Sequence, residues 1–255
     1  MAEAPDIPTP SWRTARKPAR PPRKPPISAE AIVDAALAII DAEGMDALSM
    51  RRVAQKLDTG AATLYAHVRN KEELLDLVVD RVTGELDLPE PDPGTWDRQM
   101  LEGMRRIRGV YMAHRDLAKA SFGRIPTSPN ALRSSEGMLA ILKAGGLPDR
   151  VVAWSADLIA LYATSSAYEQ GMLALREDQD PGATQRYFEQ VGAFFASLPP
   201  ERFPTLTSLL PALMEGDDNE RYDFGVEVIL LGIQAYADRM RDRQAEADGE
   251  DDAAD

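Results

Sequence analysis

Residues 28–75 read SAEAIVDAALAIIDAEGMDALSMRRVAQKLDTGAATLYAHVRNKEELL, and this stretch decides the fold. Its spacing predicts three helices and the start of a fourth. Ser28 is a good N-cap, and Glu30 sits where a carboxylate favours the helix dipole. Ile32, Ala36, Ile39 and Ile40 recur at helical spacing and make one apolar face. Gly44 can stop that helix in a left-handed conformation. Ser49 caps a second, short helix, and Leu48 before it can pack on Val53 as a hydrophobic staple. Asp58-Thr59-Gly60 makes a tight turn. A third short helix follows, with Leu64 and Val68 inward and Ala61, Ala62, Thr63, Tyr65 and His67 on its other face.

Two short helices joined by a few turn residues form a helix-turn-helix, whose second helix enters the DNA major groove. The stretch closely resembles the DNA-binding domain of the TetR family of bacterial repressors. The matching motif is ALSMRRVAQKLDTGAATLYAHVRNKEELL, with its Thr-Leu-Tyr-x-His-Val core at 63–68 and the Asn-Lys-Glu-Glu-Leu-Leu run after it. The resemblance implies a set of DNA contacts: Ser49, Arg51, Ala61, Ala62, Thr63, Tyr65, His67 and Lys71. Arg51 is expected to reach a base or an adjacent phosphate. Thr63, Tyr65, His67 and Lys71 are expected mainly to hold phosphates. Ala61 and Ala62 are too small to hydrogen-bond bases but can touch thymine methyls.

The chain has 255 residues, a formal net charge of −13 and no cysteine. Disulfides, thiolate metal sites and cysteine nucleophiles are thereby excluded. His67 and His114 are the only histidines, which makes a histidine-built zinc site a poor expectation. No apolar run approaches the roughly 18 residues of a membrane span. The N-terminus lacks the apolar core of a secretory signal, so a cytoplasmic protein is expected. The average charge argues against nucleic acid, but its distribution does not. Arg13, Arg16, Lys17, Arg20, Arg23 and Lys24 precede the helix-turn-helix, whereas residues 242–255 carry seven acids and one base.

Residues 1–27 read as a disordered basic arm rich in proline and arginine, either a solubilising tail or an arm reaching DNA. Residues 28–73 are the DNA-binding domain. Asn70 caps the next helix, with Glu73 as a capping-box partner, and LPEPDPG breaks it after Leu88. Residues 74–241 read as an all-helical regulatory and dimerisation domain, and 242–255 as a disordered acidic tail. Helices are predicted over 95–111, 115–122, 130–144, 147–175, 184–196, 205–215 and 219–241. In the last of these, Phe224, Val228, Leu231 and Ala235 form one apolar stripe and Ile229, Ile233, Tyr236 and Met240 another. A helix apolar on two sides is buried on two sides. Gly225 and Gly232 would let a partner helix approach closely, and a two-fold homodimer is expected.

Nucleophile elbows, Walker loops, dinucleotide fingerprints and metal-binding helix motifs are absent, so neither an enzyme nor a cofactor or metal is expected. Helical bundles build ligand sites between their helices. The stretches YMAHRDLAKASFGRIP at 111–126 and FGVEVILLGIQ resemble the tetracycline repressor branch, which implies a small-molecule effector. Where that branch binds its drug-magnesium chelate through a histidine, Ser121 stands here. Gly103 and Ile107 stand where it has drug-contacting polar and aromatic residues, while Glu169 matches. A mostly apolar effector is therefore expected, in a pocket lined by Met104, Ile107, Tyr111, Met138, Trp154, Tyr162, Ser165 and Glu169. The reading is an all-α homodimeric repressor of operator DNA, released when the effector binds. The alternative is a helical dimeric interaction module that does not read DNA.

Overall fold

A computed structural model of the chain describes residues 27–252, with side chains as far as residue 246. The expected basic arm lies, all but Ile27, outside the described residues. Every regular element among them is helical: α1 (Ala29–Glu43), a 3-10 turn (Met45–Ala47), α2 (Met50–Lys56), α3 (Ala61–Leu64), α4 (Lys71–Thr83), α5 (Trp96–Ala113), α6 (Leu117–Ser121), α7 (Pro129–Ala144), α8 (Asp149–Gln179), α9 (Ala183–Ala196), α10 (Pro204–Met214) and α11 (Asp218–Asp252).

The capping chemistry explains the N-terminal boundaries. Ser28, Ser49 and Asn70 accept from the backbone N–H three residues on, starting α1, α2 and α4. Glu73 reaches back to the N–H of Arg69 rather than to that of Asn70, so the box closes one residue earlier than expected. Gly44 stops α1 with φ 89° and ψ 166°. That positive φ suits glycine, but it is an extended rather than left-handed helical conformation. Ile32, Ile40, Leu48, Val53, Leu64, Leu74 and Val82 then close one core, into which α6 inserts Leu117.

A second core joins α5, α7, α8 and α11 through Met100, Met104, Met138, Leu142, Ile159, Tyr222 and Val226. Tyr111, one turn from the end of α5, packs against both cores. Polar contacts tie them further. Asp116 adopts a left-handed φ of 59°. Its carboxylate accepts from the N–H of Met45 at 2.8 Å. Asp80 of α4 accepts from the N–H groups of Asn130 and Ala131, at 2.9 and 3.1 Å. It thus caps α7 from outside, where Ser128 makes no side-chain cap.

Two helices run longer than predicted. α8 continues through Gln179, across residues read as a turn. There Glu177 accepts from the N–H groups of Gly182 and Thr184, so the reversal falls after the helix. α11 continues to Asp252, so the segment from 242 expected as a disordered tail is helical as far as that residue. Its Arg, Gln, Glu and Ala content is rich in strong helix formers. The inward stripe of α11 is Tyr222, Val226, Leu230, Ile233 and Ala237, one position round from the expected second stripe. The expected first stripe faces outward: Phe224 is 69% and Leu231 71% exposed. The two glycines separate in role. A Cβ on Gly225 would lie 2.0 Å from the Tyr162 hydroxyl, so this glycine admits the chain's own α8, not a partner. Gly232 faces open space. α9 packs on α8 and α10 packs on α9, yet neither buries a residue.

Candidate nucleic-acid interface and effector cavity

The recognition unit is built from local chemistry. Ser49 fixes the start of α2 by accepting from Arg52 N at 3.3 Å. Arg52 is in turn held by Glu43 at 2.5 Å. Arg51, one residue earlier, is exposed and has no ion pair among the described residues. Asp58, with φ 49°, turns the chain into Gly60, which precedes α3. Thr59 and Thr63 share a hydroxyl contact of 3.2 Å across that turn. Leu64 and Val68 are buried beneath it. Ala62, Thr63, Tyr65, His67 and Lys71 are exposed on the outside, while Ser49 and Ala61 are half-buried at the edge. The structure places Arg51 on α2, Ala61, Ala62 and Thr63 on α3 and Lys71 at the start of α4, while Ser49 caps α2 and Tyr65 and His67 lie in the turn after α3, which ends earlier than expected. Arg69 and Asn70, beside Lys71, are also exposed, and Arg69 is tied to Glu73 at 3.1 Å.

A cavity of about 410 Å³ lies between α4, α5, α7 and α8 and the α6–α7 connection. Val79, Leu86, Ile107, Ala131, Met138 and Ala160 give it apolar walls. Thr83, Tyr111, Ser121, Thr127, Ser134 and Thr164 are its hydroxyl-bearing residues, of which Thr83 and Ser121 already donate to the carbonyls of Val79 and Leu117. Arg124 also borders it and forms an ion pair with Asp76 of α4. Hydroxyls thus punctuate a lining that remains mostly apolar.

Of the eight expected pocket residues, the cavity brings together Ile107, Tyr111 and Met138. Met104 is fully buried in the core instead. Trp154 is 60% exposed on the outer face of α8, under the Arg150 guanidinium 4.1 Å away. Tyr162 stacks on Tyr222 of α11 at 5.4 Å. Ser165 and Glu169 point outward. The cause is the phase of α8. Ile159, Ala163 and Ala167 are buried, and Ala160 and Thr164 reach the cavity. Ser165 and Glu169 follow a row one position later, turned about 100° away. The missed residues had a signal in residues 125–128, whose Thr127 and Ser128 line the cavity, and in Ser134 and Ser135 on α7.

Between α5 and α11, Arg105 grips Asp223 through two hydrogen bonds of 2.8 and 2.7 Å. These bonds hold the Asp223 carboxyl below the usual carboxylate range, against a smaller opposing effect of burial. Arg108 lies buried over the Tyr222 ring, 4.6 Å from its centre. Burial pushes the Tyr222 phenol well above its ordinary range, despite the guanidinium beside it.

The family model described as Bacterial regulatory proteins, tetR family, matches residues 32–78. The one described as Tetracyclin repressor-like, C-terminal domain, matches residues 88–237. The HTH-type transcriptional repressor DrrR1 of Streptomyces coeruleorubidus is 34% identical over 238 residues, covering 92% of this chain and 87% of that protein. Apo ActR of Streptomyces coelicolor superposes with a TM-score of 0.77 at 41% identity, over 85% of this chain and 99% of that one. ActR in complex with actinorhodin gives a TM-score of 0.77 at 42% identity, over 83% and 97%. With a helix-turn-helix unit and a tetracycline repressor-like helical body in one chain, the protein belongs to the TetR family and is a DNA-binding repressor regulated by a small molecule bound in its C-terminal domain.

Proposed function

We propose that the chain works as a two-fold homodimer whose two recognition units hold operator DNA, and that occupation of the cavity around Tyr111 releases it. The observation that carries this reading is the cavity wall. Asp76, Val79 and Thr83 belong to α4, the helix that also packs the DNA-binding core. A molecule that fits only one position of α4 shifts the balance between arrangements of the recognition units, as differential binding requires. The DNA contacts are Ser49, Arg51, Ala61, Ala62, Thr63, Tyr65, His67 and Lys71. The dimer face is the outward side of α8 and α11, where Trp154, Leu158, Leu161, Phe224, Val228 and Leu231 are exposed apolar groups.

The effector is a molecule with an apolar body and several oxygen acceptors, matched to the hydroxyl-bearing walls. ActR in complex with actinorhodin and with (S)-DNPA supports a ligand of that kind. Actinorhodin, and tetracycline with and without magnesium, serve as probes in calorimetry and in release of a duplex selected from a random pool. Actinorhodin is expected to bind and release the duplex, with no need of magnesium. Met138→Trp, which fills the cavity, is expected to abolish release while leaving duplex binding intact. Release that persists in Met138→Trp would place the effector elsewhere.

A further inference from the structure

One imidazole sits between two carboxylates from different parts of the chain. His114 follows the last residue of α5. Its Nδ1 lies 3.1 Å from Asp41 near the end of α1, and its Nε2 lies 3.4 Å from Glu85 just past α4. The side chain is 15% exposed. A neutral imidazole has one N–H and one lone pair, so it can donate to only one of these acids. The other carboxylate then faces a lone pair. The imidazolium donates to both, so the contact is complete only with the proton on.

The groups around it are accounted for element by element. Glu85 also accepts from Arg81 of α4, at 3.2 Å. Arg115, Asp116 and Lys119 of α6 and the turn before it, Tyr111 of α5, and Tyr168 and Asp178 of α8 line the same cleft as His114. Asp116 is already engaged with the Met45 N–H at 2.8 Å.

We infer that His114 is a proton-operated catch between the DNA-binding unit and the regulatory body, through which operator affinity depends on pH. The inference rests on the repressor reading above for its DNA readout. Histidine is the side chain whose charge ordinarily changes between about pH 5 and 8. If duplex binding repositions α1, Asp41 moves relative to the ring. The proton and the DNA then change each other's affinity by the same factor. Any such movement makes His114 a positioning residue that touches neither DNA nor effector.

The experiment must separate His114 from the chain's other histidine. His67 is exposed on the DNA-facing surface, and a proton there strengthens any phosphate contact directly. His67→Gln is therefore the background. The full chain, at constant ionic strength, is titrated with a duplex selected from a random pool by the wild type, between pH 5.5 and 8. Couplings of this type are typically about 5- to 150-fold, so Kd in His67→Gln is expected to change at least about fivefold. Adding His114→Gln, or Asp41→Asn with the imidazole left in place, is expected to flatten the profile. A flat profile in His67→Gln alone, or a slope that survives His114→Gln, overturns the catch. Sedimentation and thermal melting verify that each variant folds, and Asp41→Asn carries the test where His114→Gln does not. Failure of the wild type to enrich any duplex sinks the repressor reading instead. Hydrogen exchange at Met45–Ala47 in DNA-free protein then decides the catch. Corrected for intrinsic rate, these amides are expected to be better protected at pH 5.5 than at pH 8 in the wild type and not in His114→Gln, and equal protection refutes it.

Discussion

Leu231→Ala isolates the outward face of α11. Leu231 is 71% exposed in the single chain, so its removal costs the monomer little, within about 0.5 kcal/mol for a surface change. Alanine is also the stronger helix former, so α11 itself is not weakened. In a dimer that covers this face the result differs. The substitution deletes three methylene-sized groups at about 0.8 kcal/mol each, and scaling by the exposed fraction gives about 1.7 kcal/mol per copy. A two-fold interface counts it twice, so about 3.4 kcal/mol is lost, or about 300-fold in the dimer dissociation constant. Sedimentation equilibrium over a concentration series measures that constant, and a gel shift on the same samples reads duplex affinity. The variant is expected to dissociate at concentrations where the wild type is dimeric. Its duplex binding weakens with it, because the second half-site contact is no longer linked to the first. An unchanged dimer constant refutes the assignment of this face. A wild type that sediments as a monomer at micromolar concentration yet binds its duplex tightly refutes the dimer altogether.

Arg51→Ala is expected to relax sequence preference by about 1–3 kcal/mol if the guanidinium forks a guanine, whereas Tyr65→Ala weakens all duplexes alike; competition with scrambled DNA distinguishes the two. Gly225→Ala places a Cβ 2.0 Å from the Tyr162 hydroxyl, at the tip of a ring stacked on Tyr222. The strain of about 1–3 kcal/mol exceeds the helix-propensity gain of about 1 kcal/mol, so the melting temperature should fall. Asp223→Asn is expected to lower thermal stability near neutrality. The Arg105 hydrogen bonds hold the folded Asp223 pKa below its unfolded value. Their contribution is therefore present above the ordinary carboxylate range and lost as pH falls through the folded pKa. The melting gap between variant and wild type should close on acidification, and a constant gap from pH 7 to pH 2 contradicts the assignment.

The helix-turn-helix was legible because its determinants are local. Ser49, Asn70 and Gly44 specify ends, and Leu64 and Val68 specify an inward side, within a few residues of where they act. The cavity was less legible because it is a matter of phase. α8 is apolar on several sides, so periodicity did not separate the row of Ala160 and Thr164 from that of Ser165 and Glu169. Trp154 and Tyr162 are aromatic and helical, but one faces out and the other packs on α11. Gly225 and Gly232 look equivalent in sequence, and only the position of Tyr162 tells them apart. The ends of α8 and α11 are hard to read in sequence because charged residues are common in turns and tails, although Arg, Glu and Gln are good helix formers.

The link between Asp116 and Met45 bears on exchanging DNA-reading heads among relatives. Asp116 grips a backbone N–H, which every residue but proline offers. A grafted head would meet that grip whatever its sequence, provided its loop keeps the glycine-like turn at position 44. The ring of His114 instead needs a carboxylate at position 41. A chimaera could therefore inherit its attachment from the recipient body while losing whatever depends on the donor's own side chain at that one position.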